Sequence, residues 1–153
     1  MSKPRTLIIY MSVHHGNTKK LTETIAKVLG AKIVSPSQVR PKDLINFNLV
    51  GFGSGIYGFR HHKDLLDFAD SLPNMSKKAF IFSTAGFPPM WKKWHIALRD
   101  KLTKKGFQII GEFSCPGWDT FGPLALIGGM YKGRPNEKDL EDARNFAQNL
   151  ISK

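Results

Sequence analysis

Apolar and polar positions along the chain follow two different periods. Five short apolar runs have the length and composition of buried strands, at residues 7–11, 31–34, 48–53, 79–83 and 107–115. After most of them, apolar residues recur every three or four positions, as on one face of a helix. Strands alternating with helices predict an α/β fold with a parallel sheet covered on both faces. We therefore predict one domain over residues 1–153, with a doubly wound five-stranded parallel sheet of order 2-1-3-4-5.

Three polar, glycine-containing segments follow the first, third and fourth predicted strands, at residues 12–18, 54–59 and 84–87. In a sheet of this order the carboxyl ends of those strands lie side by side where the strand order reverses, and ligands bind there. The first segment leads from a strand into a helix, so its hydroxyls, its N–H groups and the helix dipole favour an anion. It lacks the Gly-Lys-Ser/Thr ending of a Walker A loop and the three glycines of a dinucleotide fingerprint, which favours a monophosphate over a triphosphate.

Composition adds a strong positive charge to this picture. The 153 residues carry a formal net charge of +11, spread over the chain and densest around residues 92–105. Such a face binds an acidic protein, an anionic ligand or nucleic acid, or is simply a solvated helix surface. No zinc-finger, helix-turn-helix or RNP sequence accompanies the charge, which argues against nucleic acid. The apolar runs are too short to span a bilayer or to form a secretory signal, so we expect a cytoplasmic protein.

A single cysteine, Cys115, excludes an internal disulfide and any multi-cysteine metal or iron–sulfur site. Apolar neighbours and a position at the end of the fifth predicted strand indicate a buried thiol rather than a nucleophile. The paired histidines project in different directions and lack carboxylate or cysteine partners at ligand spacing, so we predict no metal site.

Ser12, Gly16, Asn17 and Thr18, placed directly after the first strand, resemble the phosphate loop of the flavodoxin family. The other two segments stand where the two isoalloxazine loops of that family belong, and the resemblance covers essentially the whole chain. It implies non-covalently bound FMN, with the phosphate on residues 12–18 and the flavin ring between residues 54–59 and 84–87. The residues expected to contact FMN are Ser12, Val13, His14, His15, Gly16, Asn17, Thr18, Ser54, Gly55, Ile56, Tyr57, Gly58, Phe59, Thr84, Ala85, Gly86 and Phe87.

Aromatic side chains near these segments are candidates to stack on a flat flavin ring. We expect stacking for Tyr57 and Phe87, keep Phe59 as a further candidate, and expect Trp91 to pack within the protein. The helical spacing after the third segment predicts one helix with Trp91, Trp94, Leu98 and Leu102 facing inward. The long segment at residues 116–135, before a last helix with Asn136 as its expected cap, forms either a lid over the flavin or a packed loop.

The histidines divide into three groups. His14 and His15 either contact the phosphate or flavin or are exposed in the loop. His61 and His62 are expected to be exposed at the start of a helix, and His95 to lie on a helix surface.

Two features depart from a common flavodoxin. The histidine pair lengthens the first segment, and the Gly-Ile-Tyr-Gly-x-x-His sequence ending at His61 is similar to flavodoxin-type protoporphyrinogen oxidases. The positive charge contrasts with the acidic surface of electron-carrying flavodoxins, and cationic surroundings are expected to raise the reduction potential of the flavin.

Electron transfer needs no general acid or base from the protein, and no catalytic residues are predicted. We therefore predict an FMN-dependent carrier that passes electrons between redox partner proteins, which would present acidic docking surfaces. Two alternatives remain open: a small FMN-dependent oxidoreductase acting on a quinone or porphyrinogen, and a flavin-free binding module that uses the basic surface. Whether the protein is an enzyme is thus left undecided.

Overall fold

The computed structural model describes residues 3–12, 16–85, 90–117 and 133–153. Within these residues the chain forms six strands: β1 (Thr6–Met11), β2 (Lys32–Val34), β3 (Leu49–Tyr57), β4 (Arg60–His61), β5 (Lys78–Ala85) and β6 (Gln108–Pro116). The α-helices are α1 (Asn17–Leu29), α2 (Lys63–Ser71), α3 (Trp91–Trp94), α4 (Ile96–Lys104) and α5 (Glu137–Ile151). Two short 3₁₀ helices, Pro36–Gln38 and Pro41–Asn46, connect β2 to β3. None of the described helices has the length and apolar content needed to cross a membrane.

The sheet has the order β2-β1-β3-β5-β6, with every pair along this path parallel. Because β5 and β6 are the fourth and fifth predicted strands, the predicted fold and the order 2-1-3-4-5 are confirmed. The two-residue strand β4 was not predicted, and it pairs antiparallel with the end of β3 to form a hairpin.

Two apolar cores cover the two faces of the sheet. Ile9 and Phe52 point to the face covered by α2 and α4, where Leu65 and Leu98 are fully buried. Ile8 and Phe80 point to the other face, covered by α1 and α5. Side chains of successive strand residues point to opposite faces, so covering both faces makes the central strands continuously apolar.

The glycines of β3 are explained by packing within the sheet. A Cβ atom on Gly51 would lie 2.3 Å from the ring of Phe80, and one on Gly53 would lie 2.2 Å from the ring of Phe82. The two phenylalanine rings of β5 therefore occupy the space that side chains on β3 would fill.

The segment predicted as one helix from Trp91 to Leu102 is two helices, because the chain turns at His95 between α3 and α4. The expectation that Trp91 and Trp94 point inward with Leu98 and Leu102 was wrong for the tryptophans. Both leucines are fully buried, whereas both tryptophans are only half-buried.

The start of α5 agrees with its predicted cap. The Asn136 side chain accepts a hydrogen bond from the Asp139 N–H at 3.0 Å, and the Asp139 carboxylate accepts one from the Asn136 N–H at 2.8 Å. Arg134 donates to the same carboxylate. This reciprocal arrangement satisfies N–H groups that the first helical turn leaves unpaired.

Candidate functional site

The three glycine-containing segments begin at one edge of the sheet. Met11, the last residue of β1, is in register with Ser54 of β3; Ser54 is in register with Ser83 of β5, and Ser83 with Ser114 of β6. The next step along the strands aligns Gly55 with Thr84. This row of small and hydroxyl side chains lies at the carboxyl ends of the strands, where an open α/β sheet binds its ligands.

The first segment leads into the amino terminus of α1. Gly16 has a left-handed backbone with φ 66°, and α1 begins at the next residue. The Ser12 hydroxyl accepts a hydrogen bond from the Lys19 N–H at 3.2 Å, which folds the segment back over the first helical turn. That turn contains no acidic side chain, and no side chain caps it from Gly16. Val13, His14 and His15 lie outside the described residues.

A buried hydrogen bond joins the first segment to the third. The hydroxyls of Thr18 and Thr84 are 2.9 Å apart, and both residues are at most 4% exposed. Thr84 and Ala85 are the last two residues of β5, and the Ala85 carbonyl accepts a hydrogen bond from the Gly117 N–H at 3.1 Å. Gly86 and Phe87 lie outside the described residues.

The second segment is a strand extension and hairpin rather than the irregular loop that its glycines had indicated. Ser54–Tyr57 belong to β3, and the turn at Gly58 and Phe59 leads directly into β4. The buried Ser54 hydroxyl donates to the Gly55 carbonyl at 2.6 Å and accepts from the His62 N–H at 2.9 Å. These two bonds fix the base of the hairpin.

The aromatic side chains of the hairpin point in different directions. The half-buried Tyr57 ring meets the His62 ring edge-on, with centroids 5.2 Å apart. Phe59 is 77% exposed and lies beside Trp94, with centroids 6.1 Å apart. Stacking of Tyr57 and Phe87 on a flavin therefore stays a prediction, and Phe59 faces solvent and α3.

A chain of hydrogen-bonded polar side chains, not predicted from the sequence, links His95 and α4 to β5 and β6. His95 is fully buried, with Nε2 2.7 Å from the Ser83 hydroxyl and Nδ1 3.0 Å from a carboxylate oxygen of Glu112. Arg99 donates two hydrogen bonds to the same carboxylate, at 2.8 and 2.9 Å. The hydroxyls of Ser83 and Ser114 are 2.8 Å apart.

His61 is buried against this chain, with its ring centroid 4.8 Å from that of His95. Its Nε2 lies 3.0 Å from the Phe82 carbonyl, and because a carbonyl only accepts, Nε2 carries the proton. Its Nδ1 is buried and has no hydrogen-bond partner among the residues that the structure describes. The expectations of exposure for His61 and of a helix-surface position for His95 were therefore wrong.

Burial controls the protonation of this cluster. Desolvation, with a smaller contribution from the neighbouring His95, lowers the pKa of His61 to about 3, although the hydrogen bond to Phe82 opposes this. Desolvation also lowers the pKa of His95, although Glu112 opposes this. For Glu112 itself, burial raises the pKa, but the hydrogen bonds from His95 and Arg99 outweigh it and bring the pKa to about 2. Near neutral pH the cluster thus contains neutral histidines and an Arg99–Glu112 ion pair.

His62 and Cys115 complete the group of titratable residues near the strand ends. His62 is half-buried rather than exposed, and its Nδ1 caps α2 by accepting from the Asp64 N–H at 3.0 Å. Cys115 is buried near the end of β6, as predicted, and desolvation raises the pKa of its thiol to about 12. Within the described residues no group of three histidine, cysteine, aspartate or glutamate side chains is arranged for a metal ion.

The amino terminus of α1 suits an anionic group such as a phosphate. A Cβ built on Gly16 meets no atom of the described residues within 4 Å, so a bound group would have space beside Gly16. Helix amino termini of this kind bind phosphates, and Lys19 and Lys20 add positive charge to the same turn.

Comparison with known proteins identifies the architecture. A family model described as a flavodoxin domain matches residues 7–115. The chain belongs to the flavodoxin family. An uncharacterized protein from Methanocaldococcus jannaschii is 48% identical over 147 residues, which cover 96% of this chain and 98% of that protein.

Solved structures agree with the family. Oxidised flavodoxin 2 from Bacillus cereus superposes with a TM-score of 0.72 at 18% identity, covering 97% of this chain and 98% of that one. A flavoprotein from Lactobacillus acidophilus, solved in complex with FMN, superposes with a TM-score of 0.58 at 16% identity, covering 73% and 93% of the two chains. The predicted cofactor, FMN, is thus bound by a protein of similar fold.

Proposed function

We propose that this protein binds one FMN at the carboxyl ends of β1, β3 and β5 and carries electrons between partner proteins. The observation that carries the proposal is the convergence of the three segments. Gly55 of the second segment is in register with Thr84 of the third, and the first segment begins directly after Met11, which is in register with Ser54. The amino terminus of α1 follows at Asn17.

Different residues of the chain would hold the phosphate and the ring of FMN. The backbone around Gly16 and the first turn of α1 would bind the phosphate, with Ser12 holding the segment in place. The Thr18–Thr84 hydrogen bond would fix the distance between the phosphate end and the ring end of the site. The hairpin, braced by Ser54, would cover one side of the ring. Bound FMN supplies the redox chemistry, since it accepts and releases electrons singly or in pairs.

Electron carriage is favoured over direct oxidation of a small substrate by the position of the acid–base groups. His61, His95 and Ser83 are each at most 1% exposed, so none of them reaches a substrate. Their hydrogen bonds are made to the protein instead. A carrier needs only a positioned flavin with one accessible edge.

The phosphate site can be tested with two glycines that match in backbone conformation. Gly16 and Gly30 stand at opposite ends of α1 with φ of 66° and 64°. In Gly16→Asp a carboxylate would enter the proposed phosphate site, and we expect FMN affinity to fall at least about tenfold, measured by quenching of flavin fluorescence. In Gly30→Asp the same side chain lies at the far end of the helix, and FMN affinity should match the wild type.

The outcomes separate the alternatives. Equal FMN affinity in both variants and in the wild type would place the phosphate elsewhere. A colourless wild-type protein that takes up no FMN would overturn the proposal and favour the flavin-free binding module. Steady turnover of a quinone or porphyrinogen by the FMN-loaded protein would favour the oxidoreductase over the carrier.

A further inference from the structure

The turn of the β3–β4 hairpin contains a phenylalanine in a conformation that disfavours it. Gly58 and Phe59 both have positive φ, 58° and 66°, as in the tight turns that usually require glycine or asparagine at both positions. A bulky side chain with a left-handed backbone is uncommon and strained. Glycine at position 59 would make the same turn without this strain.

Packing does not explain Phe59, because the side chain is 77% exposed. Its recorded ring contact is with the half-buried Trp94 of α3. Ile96, the first residue of α4, is also 45% exposed. We call Phe59, Trp94 and Ile96, with Trp91 one turn before Trp94, the aromatic patch.

The aromatic patch has a rim of positive charge. Lys92 and Lys93 are exposed between the two tryptophans, and Arg60 is exposed beside Phe59. Within the part of the chain that the structure describes, none of these three cations has a carboxylate at salt-bridge distance. Lys92 instead lies over the Trp91 ring, 5.7 Å from its centroid.

The aromatic patch also has depth and a defined place in the fold. An open cleft of about 350 Å³ is lined by Trp91, Lys92, Lys93, Ile96, Arg99 and Glu112. The hairpin follows β3 and α3 comes after β5, so both halves of the patch lie at the ligand-binding end of the sheet.

We propose that the aromatic patch is the docking surface for a partner protein that presents an acidic rim around an apolar centre. This rests on the proposed electron-carrier function and adds the surface through which electrons would be exchanged. Protein interfaces concentrate aromatic anchors at the centre and charge at the rim, as here. A second copy of this chain is disfavoured as the occupant, because two lysine-rich rims would repel each other. Nucleic acid is disfavoured because the charges surround an apolar centre instead of following a continuous track.

The test uses the FMN-loaded protein and a plant-type [2Fe–2S] ferredoxin, a small acidic electron carrier, as the probe. Binding of fluorescently labelled oxidised ferredoxin is followed by anisotropy at low and high salt. Transfer of one electron from the reduced iron–sulfur cluster to FMN is followed separately by stopped flow. Two readouts are needed because docking and electron transfer can fail independently.

Four variants divide the contributions. Lys92→Glu/Lys93→Glu should weaken binding at low salt at least about tenfold, whereas Lys104→Glu/Lys105→Glu, the same charge change at the far end of α4, should weaken it less than about threefold. Phe59→Gly should weaken binding about threefold to tenfold at both salt concentrations while the protein stays equally or more resistant to unfolding. Ile45→Ala, which removes a 72% exposed side chain from the 3₁₀ helix before β3, should change nothing.

Each outcome decides a separate point. Equal losses of ferredoxin affinity in the two double variants would show that only net charge matters, and would overturn the assignment of the aromatic patch as the docking surface. Unchanged binding in Phe59→Gly would overturn its role as the anchor, and no ferredoxin binding at low salt would overturn the acidic partner. Tighter binding of a 20-base-pair DNA duplex, abolished by Lys92→Glu/Lys93→Glu, would assign the patch to nucleic acid. Patch-dependent binding without electron transfer would support the docking surface and contradict the carrier function.

Discussion

The buried His61 predicts that acid destabilises the fold well before its carboxylates are protonated. In the folded protein Nε2 donates to the Phe82 carbonyl, so an added proton must go to Nδ1, which is buried without an acceptor. Desolvation of the buried ring, with a smaller contribution from His95, lowers the pKa of His61 from 6.5 to about 3. In the unfolded chain the ring is hydrated and titrates near 6.5.

The sign and size of the effect follow from these two pKa values. A depressed folded pKa gives stability that is complete above pH 6.5 and is lost as the pH falls toward 3. Each pH unit in this window costs about 1.4 kcal/mol, so His61 alone removes about 2 kcal/mol between pH 7.5 and pH 5. The full loss near pH 3 is about 5 kcal/mol, a large part of the stability of a typical domain.

Urea unfolding followed by circular dichroism at pH 7.5, 6.5, 5.8 and 5.0 measures this loss. In His61→Gln the amide still donates to the Phe82 carbonyl but does not titrate, so the unfolding free energy should depend less on pH by about 2 kcal/mol over this range. His95 faces His61, Glu112 and Arg99, and burial lowers its pKa as well. His95 therefore accounts for pH dependence of stability that remains in His61→Gln.

His62→Asn is the matched control, because it removes the neighbouring, half-exposed imidazole and keeps a side chain that caps α2. In this variant the loss of about 2 kcal/mol assigned to His61 should remain. If His61→Gln and the wild type lose stability in parallel between pH 7.5 and 5, or if the His61 ring titrates near pH 6.5 by NMR, the reasoning is wrong.

Three further predictions concern other buried groups. Glu112→Gln should lower the free energy of unfolding by about 2 kcal/mol at pH 7, because Arg99 loses its ionic partner. Since the pKa of Glu112 is about 2, the difference in unfolding free energy between variant and wild type, measured in urea, should disappear as the pH falls from 4.5 toward 2. Cys115 should react with iodoacetamide at pH 8 at least about 1000 times more slowly than in urea, since burial raises the pKa of its thiol to about 12; equal rates would contradict this. Gly53→Ala should lower stability by about 3 kcal/mol or more, because the new methyl group overlaps the Phe82 ring, whereas Gly58→Ala, which meets no neighbour, should cost only about 1 kcal/mol.

The sequence predicted the sheet and the location of the site because both depend on chain order and on strong periodicity. Alternating strands and helices restrict the topology to few arrangements, and the three segments then fall at one edge of the sheet. The hairpin was missed because a glycine next to a tyrosine gives the same local signal in a loop and in a tight turn. Only pairing between Ile56 and His61 distinguishes the two, and that pairing is a tertiary contact.

The buried histidines were missed for different reasons. His95 had a signal, since Trp91, His95, Leu98 and Leu102 follow helical spacing, and the histidine completes a stripe whose two leucines are buried. A polar residue in an apolar stripe implies a buried partner, and here Glu112 supplies it. His61 gave no such signal, because its burial depends on the strand that precedes it and on a carbonyl of β5.

The buried cluster also connects the two halves of the aromatic patch. Phe59 is carried by the hairpin, whose second strand contains His61, and Trp94 directly precedes His95. The ring contact between His61 and His95 therefore joins the hairpin to α3 from below, while Phe59 and Trp94 meet at the surface. Glu112 fixes this arrangement to β6 through His95 and Arg99. These directional hydrogen bonds thus hold Phe59, a strained surface residue, in a defined position. A docking surface requires such a position, and an apolar core of the same size would fix it less precisely.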